Sequence, residues 1–503
     1  MNRLRLLVIT DVHYRPGGPQ SAGPRRGELG LELLARAIED ATRRGGFDCL
    51  ALLGDLLDDG RRQGAEEAAI ELLATVESAG VPAIVLPGNH DYDGQHLPAG
   101  LPGRSRVLEI AGYRLVAFVD AWRDRDYGTR RHEDLQLLRD LADQPGGPII
   151  ALQHSPMHPP IDSEYPYMLT NRPEVMHQYT QAGVLLSISG HYHAGQPLNS
   201  TDGVLYLTVP AICEPPFRYA LVSLHGREVD VEVRQLSADQ PGLFDCHAHT
   251  EFAYCGEGIS AEAAIQRSGA FGLAGVCLVE HAPQLYCTAE EFWAAMHIRE
   301  PACWRKGQNS RMAEFRRAME PHRPAGARVG LEVELDREGK LTLLDEDRQW
   351  IDLIVGALHW LPEDASSLTD AELARAFMRA NEFMLAAGVD VLAHPWRFFR
   401  WSQRDVPTEL YRPLAELLRA TDTAAEINFH SNTPDPAFFA ACIERGVKIA
   451  LGTDAHRPHE AGALSAHLAL LRHIAATEDL AELLMPYPTR KPPADAVEIA
   501  GSD

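Results

Sequence analysis

Apolar positions along this chain follow two successive patterns. In the first half, short runs rich in branched aliphatic residues, LRLLVIT, DCLALLG, PAIVLPG, RLVAFVD, PIIALQ, VLLSIS and VLYLTV, predict buried strands. Between the first two lies ELGLELLARAIEDATRR, where Leu33, Leu34, Ala37, Ile38 and Ala41 recur at helical spacing and Gly45 and Gly46 supply the stop. Later strands, around 204–209, 219–224 and 228–233, follow one another without long helices between them. The pattern predicts an α/β layered domain with a mixed sheet over residues 1–236.

After SADQPG at 237–242, a polar linker ending in Pro-Gly, the alternation becomes regular. Strand-like runs recur at about 243–247, 274–279, 327–333, 351–356, 389–393, 423–428 and 447–451, with helical patterns such as TAEEFWAAMHI and DAELARAFMRANEFMLAAG between them. Seven βα units over 243–485 predict a barrel related to the eight-unit kind. Residues 486–503 read as a Pro-rich tail, poorly ordered or docked, with no chemistry of its own.

Length and composition agree with two soluble domains: 503 residues exceed one ordinary core, and 45% are hydrophobic. The formal charge of -24 opposes a large nucleic-acid surface. MNRLRLLVITDVH reads as a strand and not a signal peptide, and no apolar run approaches the ~18 residues of a membrane span. Eight cysteines without a CxxC pair suit free thiols in a reducing cytoplasm. Twenty-two histidines are many for this length, and their grouping carries the information.

In the first half, polar groups stand where strands run out. Asp11 and His13 follow the first strand, Asp55 and Asp58 lie in GDLLDDG, and Asn89, His90 and Asp91 lie in PGNHD. His154 ends PIIALQH, and His191 and His193 end VLLSISGHYH. Strand ends in open α/β sheets converge on one crevice, and this mixture of oxygen and nitrogen donors suits Mn, Fe, Zn or Co. Loops at 14–27, bearing Arg15, Arg25 and Arg26, and at 158–173, long enough for a lid, are the expected substrate elements, with Arg218 a further candidate for phosphate.

The blocks DxH, GDxxD, GNHD, a lone His and GHxH resemble the calcineurin-like metallophosphoesterases over residues 1–236. The resemblance implies a four-layer α/β/β/α sandwich and two divalent metals. One would be held by Asp11, His13 and His193, the other by Asn89, His154 and His191, with Asp55 bridging. It makes His90 the acid that protonates the leaving alkoxide, oriented by Asp91. QHSPMHPP leaves His158 as a rival to His154.

The second half places polar groups at strand ends again: His247, His249, His281, His359, His394, Asp454 and His456, with Glu332 inside a strand and Glu426 and Asn428 expected either near the substrate or behind the ligands. HxH, EH, GLE, H, HP and DAH resemble the PHP family (polymerase and histidinol phosphatase) over about 243–480. That resemblance implies a distorted (β/α)7 barrel with two or three metals, of Mn, Fe or Zn type. One would take His247, His249 and Asp454, a second His359 and His394 with Glu332 bridging, and a third His281 and His456. Cys255 stands where such proteins often carry another histidine, and is either a thiolate ligand of the third ion or a buried small residue. Arg305, Arg397 and Arg457 are candidates for gripping phosphate.

Together the halves imply a bifunctional metal-dependent phosphoesterase. A phosphodiester is opened at the first centre and a phosphomonoester cleaved at the second, in sequence on one small phosphorylated metabolite in one version. Three alternatives stand beside it: one catalytic half with the other regulatory, a PHP-type 3′ exonuclease or repair phosphatase, and a metal-stabilised scaffold.

Overall fold

Every apolar run of the first half becomes a strand, but the strands form two sheets and not one. In chain order they are β1 (Arg3–Ile9), β2 (Cys49–Leu53), β3 (Ala83–Leu86), β4 (Arg106–Ile110), β5 (Tyr113–Ala117), β6 (Ala121–Trp122), β7 (Gly128–Thr129), β8 (Ile149–Leu152), β9 (Leu186–Ser189), β10 (Gln196–Thr201), β11 (Val204–Thr208), β12 (Arg218–His225) and β13 (Glu228–Gln235). One sheet runs β13-β12-β1-β2-β3, the other β10-β11-β9-β8-β5-β4, and β6 pairs with β7. The computed structural model describes residues 3–16, 24–91, 101, 103, 105–122, 128–158, 168–306, 309–477 and 479–489.

The two sheets share a core. Leu4, Leu6 and Val8 of β1 and Ala51 and Leu53 of β2 pack with Leu115 and Ala117 of β5, Ile150 and Leu152 of β8 and Ile188 of β9. Alternate residues point the other way: Val116 and Ala151 meet Leu135 and Leu138 of α3 (His132–Asp143) and Val175 and Tyr179 of α4 (Arg172–Gln181). On the first sheet, α1 (Gly30–Arg43) buries Leu33, Leu34, Ala37 and Ala41 beside β1, and α2 (Ala65–Glu77) packs against α1. The layer order is helix, sheet, sheet, helix. The central strands are buried on both faces, so their sequence holds no cue to how many sheets they make.

The unit boundary falls between Ser237 and Ala238, inside the predicted linker. In the second unit β14 (Phe244–Ala248), β15 (Gly275–His281), β16 (Arg328–Val333), β17 (Leu353–Gly356), β18 (Val391–Leu392), β19 (Ala424–Ile427) and β20 (Ile449–Leu451) form one parallel sheet in chain order. First and last strands meet through His249 N–H to the Ala455 carbonyl (3.1 Å) and Asp454 N–H to the His247 carbonyl (2.6 Å), nearly closing a barrel. Asp245 fastens this seam: its carboxylate accepts from Thr453 Oγ1 (2.5 Å), Thr453 N (3.0 Å) and Gly462 N (3.0 Å).

Inward rows along the strands fill the barrel and then turn polar. Cys277 and Val279 lead to His281, and Val355 and Ala357 lead to His359, each two residues on. Tyr487 donates to the Gly326 carbonyl and packs on Phe244 at 4.7 Å, so the barrel holds this segment by an aromatic contact that a Pro-rich composition concealed. Residues 490–503 of the expected tail lie outside the described residues.

Candidate metal centres

In the first unit the predicted donors converge. His13 Nε2 lies 3.5 Å from Asp55 Oδ2 and 3.9 Å from Asp11 Oδ1, and His193 Nε2 lies 3.5 Å from Asp11 Oδ1. His154 Nε2 lies 3.4 Å from Asp55 Oδ1, 3.1 Å from Asn89 Oδ1 and 3.0 Å from His191 Nδ1. Asp55 therefore stands between the two groups. Asp11, His13, Asp55 and His191 all adopt positive φ, a conformation that costs about 1–3 kcal/mol per residue and gathers at functional sites. Gly88 is required by close approach, because a Cβ there would collide with Asp55 Oδ1.

These residues fit metal better than they fit one another. Asp11 Oδ1 and both ring nitrogens of His13 are buried without a hydrogen-bond partner, a state costing about 1–3 kcal/mol per group. Burial would raise Asp11, but the His193 imidazole holds it below the usual carboxylate range. Burial would lower His154, but Asp55 lifts it to about 10, and His193, facing Asp11 at 3.5 Å and bonded to Glu214, rises to about 9.

His90 lies beside the cluster, its ring edge-on to His13 at 4.7 Å. Its Nδ1 donates to the Asp58 carbonyl at 2.7 Å. The expectation that Asp91 orients it is corrected. The Asp91 carboxylate accepts from the backbone N–H groups of Leu56 (3.2 Å), Leu57 (2.8 Å) and Gly88 (2.7 Å), so it braces the loops that carry Asp55 and Asn89. His158 does not join the cluster: its Nε2 meets Thr201 Oγ1 at 2.5 Å and its ring stacks on Tyr206.

The barrel's donors gather around Glu332. Its Oε2 lies 2.7 Å from His281 Nδ1, 3.6 Å from His247 Nε2 and 3.8 Å from His249 Nε2, and its Oε1 lies 3.1 Å from His394 Nε2 and 3.7 Å from His359 Nε2. Asp454 Oδ1 lies 2.9 Å from His249 Nε2 and 3.8 Å from His247 Nε2. Cys255 Sγ stands 3.2 Å from His456 Nε2 and 3.5 Å from His281 Nε2, so the thiol joins two imidazoles and is not an isolated small residue. His247 Nε2 is buried without a hydrogen bond, which again fits cation ligation. Burial would raise Glu332, yet the surrounding imidazoles, His281 foremost, hold it far below its usual range.

Several supporting side chains carry no motif. Glu214 meets His193 Nδ1 at 2.6 Å, and Glu334 lies 3.3 Å from His359 Nδ1 and 3.4 Å from His297 Nε2. His430 stacks on His456 at 4.2 Å. Only Glu334, two residues beyond Glu332 on an inward row, and His430, two beyond Asn428, had a signal to find. Glu426 meets His247 Nδ1 at 2.9 Å, behind the donors, one of the two places expected for it.

The predicted arginines separate. Arg397 is buried against Asp454 Oδ2 (2.6 Å) and Asn428 Oδ1 (2.9 Å). Arg15 reaches Asp58 at 3.3 Å. Arg305 is corrected, because it pairs with Asp336 and Glu338 away from the cluster. Arg457 is held by Glu257 at 2.8 Å, and Arg218 is exposed at the start of β12. Of the predicted loops, 17–23 and 159–167 lie outside the described residues.

The sequence signature of the calcineurin-like phosphoesterases matches residues 4–195. Over 200 residues the chain is 30% identical to a Synechococcus sp. protein named probable cyclic nucleotide phosphodiesterase, covering 38% of this chain and 73% of that one. Among solved structures it resembles a dimetal phosphatase of Danio rerio (19% identity, 46% of this chain, 99% of that one, TM-score 0.39). It also resembles a proposed histidinol phosphatase of Listeria monocytogenes (15% identity, 44% and 97% covered, TM-score 0.30). Through its N-terminal unit the chain belongs to the calcineurin-like phosphoesterase family, and it is a metal-dependent phosphoester hydrolase.

Proposed function

We propose that the chain carries two phosphoesterase centres, the first opening a small phosphodiester and the second, of PHP type, cleaving a phosphomonoester. The observation that carries this reading is the pair of buried donor clusters, each with a carboxylate between two groups of donors, Asp55 in one unit and Glu332 in the other. The name of the Synechococcus relative points to a cyclic nucleotide as the class of diester.

Asp11, His13 and His193 would hold one ion of the first centre and Asn89, His154 and His191 the other, with Asp55 shared. In the barrel, His247, His249 and Asp454 would hold one, His359 and His394 a second with Glu332 shared, and His281, His456 and Cys255 a third. Bound ions of Mn, Fe or Zn type supply positive charge to phosphoryl oxygens and acidify water.

The chain's own groups do the rest. A carbonyl only accepts, so the Asp58 oxygen keeps the proton of His90 on Nδ1. Nε2 is then the atom that delivers a second proton to the leaving alkoxide. The His90 backbone N–H donates to Asp55 Oδ1 at 2.9 Å, tying the acid to the shared carboxylate. In the barrel, Glu426 accepts from His247 and from the His394 backbone N–H (2.9 Å), fixing two donors at once.

Metal analysis of the purified protein followed by a substrate panel tests the reading. Cyclic nucleotides and bis-p-nitrophenyl phosphate are expected to turn over at the first centre, and p-nitrophenyl phosphate at the second. Two or fewer bound ions, with monoester turnover absent, would remove the second centre from the account.

A further inference from the structure

The cavity at the barrel's cluster has both polar and aromatic side chains in its wall, with Trp401 stacked on His359 and Arg397 5.6 Å from the Trp401 ring. It encloses about 240 Å³ and is lined by Cys255, His281, His359 and His456 with Arg397, and by Phe292, Trp293, Trp360 and Trp401. The topology brings these rings together at the C-terminal ends of the strands. Phe292 and Trp293 come from the helix Ala289–Trp293 after β15, Trp360 follows His359, and Trp401 ends the helix Arg397–Trp401 after β18. Phe292 meets Trp293 and Trp360 edge-on at 5.0 and 5.5 Å, and Trp401 stacks on His359 at 5.5 Å.

Trp293 and Trp401 remain 57% and 51% exposed. Two indoles beside one cavity therefore forgo much of the burial that normally stabilises them. A free phosphate among the histidines would leave both uncovered. Arg397, its guanidinium 5.6 Å from the Trp401 ring, is 3% exposed, and its Nη2 is anchored by Asp454, Asn428 and the His430 carbonyl (2.7 Å). The carboxylate on the wall, Glu257, is paired with Arg457 at 2.8–2.9 Å, so its charge is met. A guanidinium fixed beside the donors and half-exposed indoles on the same cavity suit an anionic head joined to a flat ring.

We propose that the barrel centre takes a nucleoside monophosphate, its base stacked on Trp293 and Trp401 and its phosphate turned towards Arg397 and the histidines. This rests on reading the barrel as a phosphomonoesterase. It also joins the two activities by chemistry. Water adding to phosphorus in a cyclic nucleotide breaks one P–O bond, the freed alkoxide takes a proton, and the product is a nucleoside monophosphate. A second water then releases inorganic phosphate and leaves the nucleoside.

The test uses the full chain carrying Asp55→Asn, so that only the barrel turns over substrate. It compares kcat/KM for adenosine monophosphate with that for glycerol phosphate, and measures adenosine monophosphate binding by calorimetry. The ratio is expected to exceed 10, since base stacking on aromatic side chains accounts for roughly 5- to 150-fold per base. Trp293→Ala and Trp401→Ala should collapse it towards one through KM, with Trp→Phe at the same positions restoring it in part. A ratio near one in the parent, or equal loss on both substrates in the alanine variants, overturns the proposal. If turnover of both monoesters survives Glu332→Gln, the reading of the barrel as an esterase falls instead, which separates the two failures.

Discussion

The His193 ring is held from both sides, Nε2 facing Asp11 at 3.5 Å and Nδ1 meeting Glu214 at 2.6 Å. Removing the charge of Glu214 loosens that orientation, so Glu214→Gln is expected to cost about 10- to 100-fold in metal affinity or diester turnover, read by metal titration. His158→Ala should change neither, because that ring bonds Thr201 instead. Cys255 gives a pH prediction with a definite sign. Burial pushes its thiol up, but His281 and His456 bring it down to about 4, whereas burial raises the other seven cysteines. In metal-free protein at pH 6, iodoacetamide should therefore label Cys255 first, with a rate that falls as pH drops through about 4 and shows no rise near 9. Peptide mapping by mass spectrometry checks this. A labelling profile that climbs near pH 9 contradicts it. The donors themselves were legible, since all but Glu332, which lies within β16, stand where an apolar run ends. Glu214 was not, because it reaches His193 from a loop whose sequence, CEPPF, has no periodicity to place it.

Elements position those donors, and the barrel seam is where one residue controls two strands. Asp245→Ala leaves the buried N–H groups of Thr453 and Gly462 without their acceptor. Each such group costs about 1–3 kcal/mol, so a lowered urea midpoint is expected in the second unit. Six of the seven tryptophans lie there, so intrinsic fluorescence reports it. An unchanged midpoint would mean that the seam closes without Asp245. The seven barrel strands were readable because each parallel strand is a short apolar run followed by a helix, and their spatial order is chain order. The first unit was less readable. β10, with the sequence QPLNST, has almost no apolar signal and exists by pairing with β11. The split into two sheets likewise depends on long-range partners and not on local pattern.

At the scale of the molecule, the chain joins a calcineurin-like unit to a nearly closed parallel barrel, each with its own buried cluster. Among the described residues no helix is long and apolar enough to cross a membrane. All eight cysteines are free thiols. The central claim is that the two clusters are chemically separate esterase centres. The most direct test is a crossed comparison of Asp55→Asn and Glu332→Gln in the full chain, each assayed with bis-p-nitrophenyl phosphate and p-nitrophenyl phosphate alongside metal content. A lost shared carboxylate should cost at least the ~100-fold seen when partners of metal ligands are removed. The account predicts that Asp55→Asn loses the diester and keeps the monoester, and that Glu332→Gln does the reverse. Loss of both activities in either variant, or of neither, would contradict it.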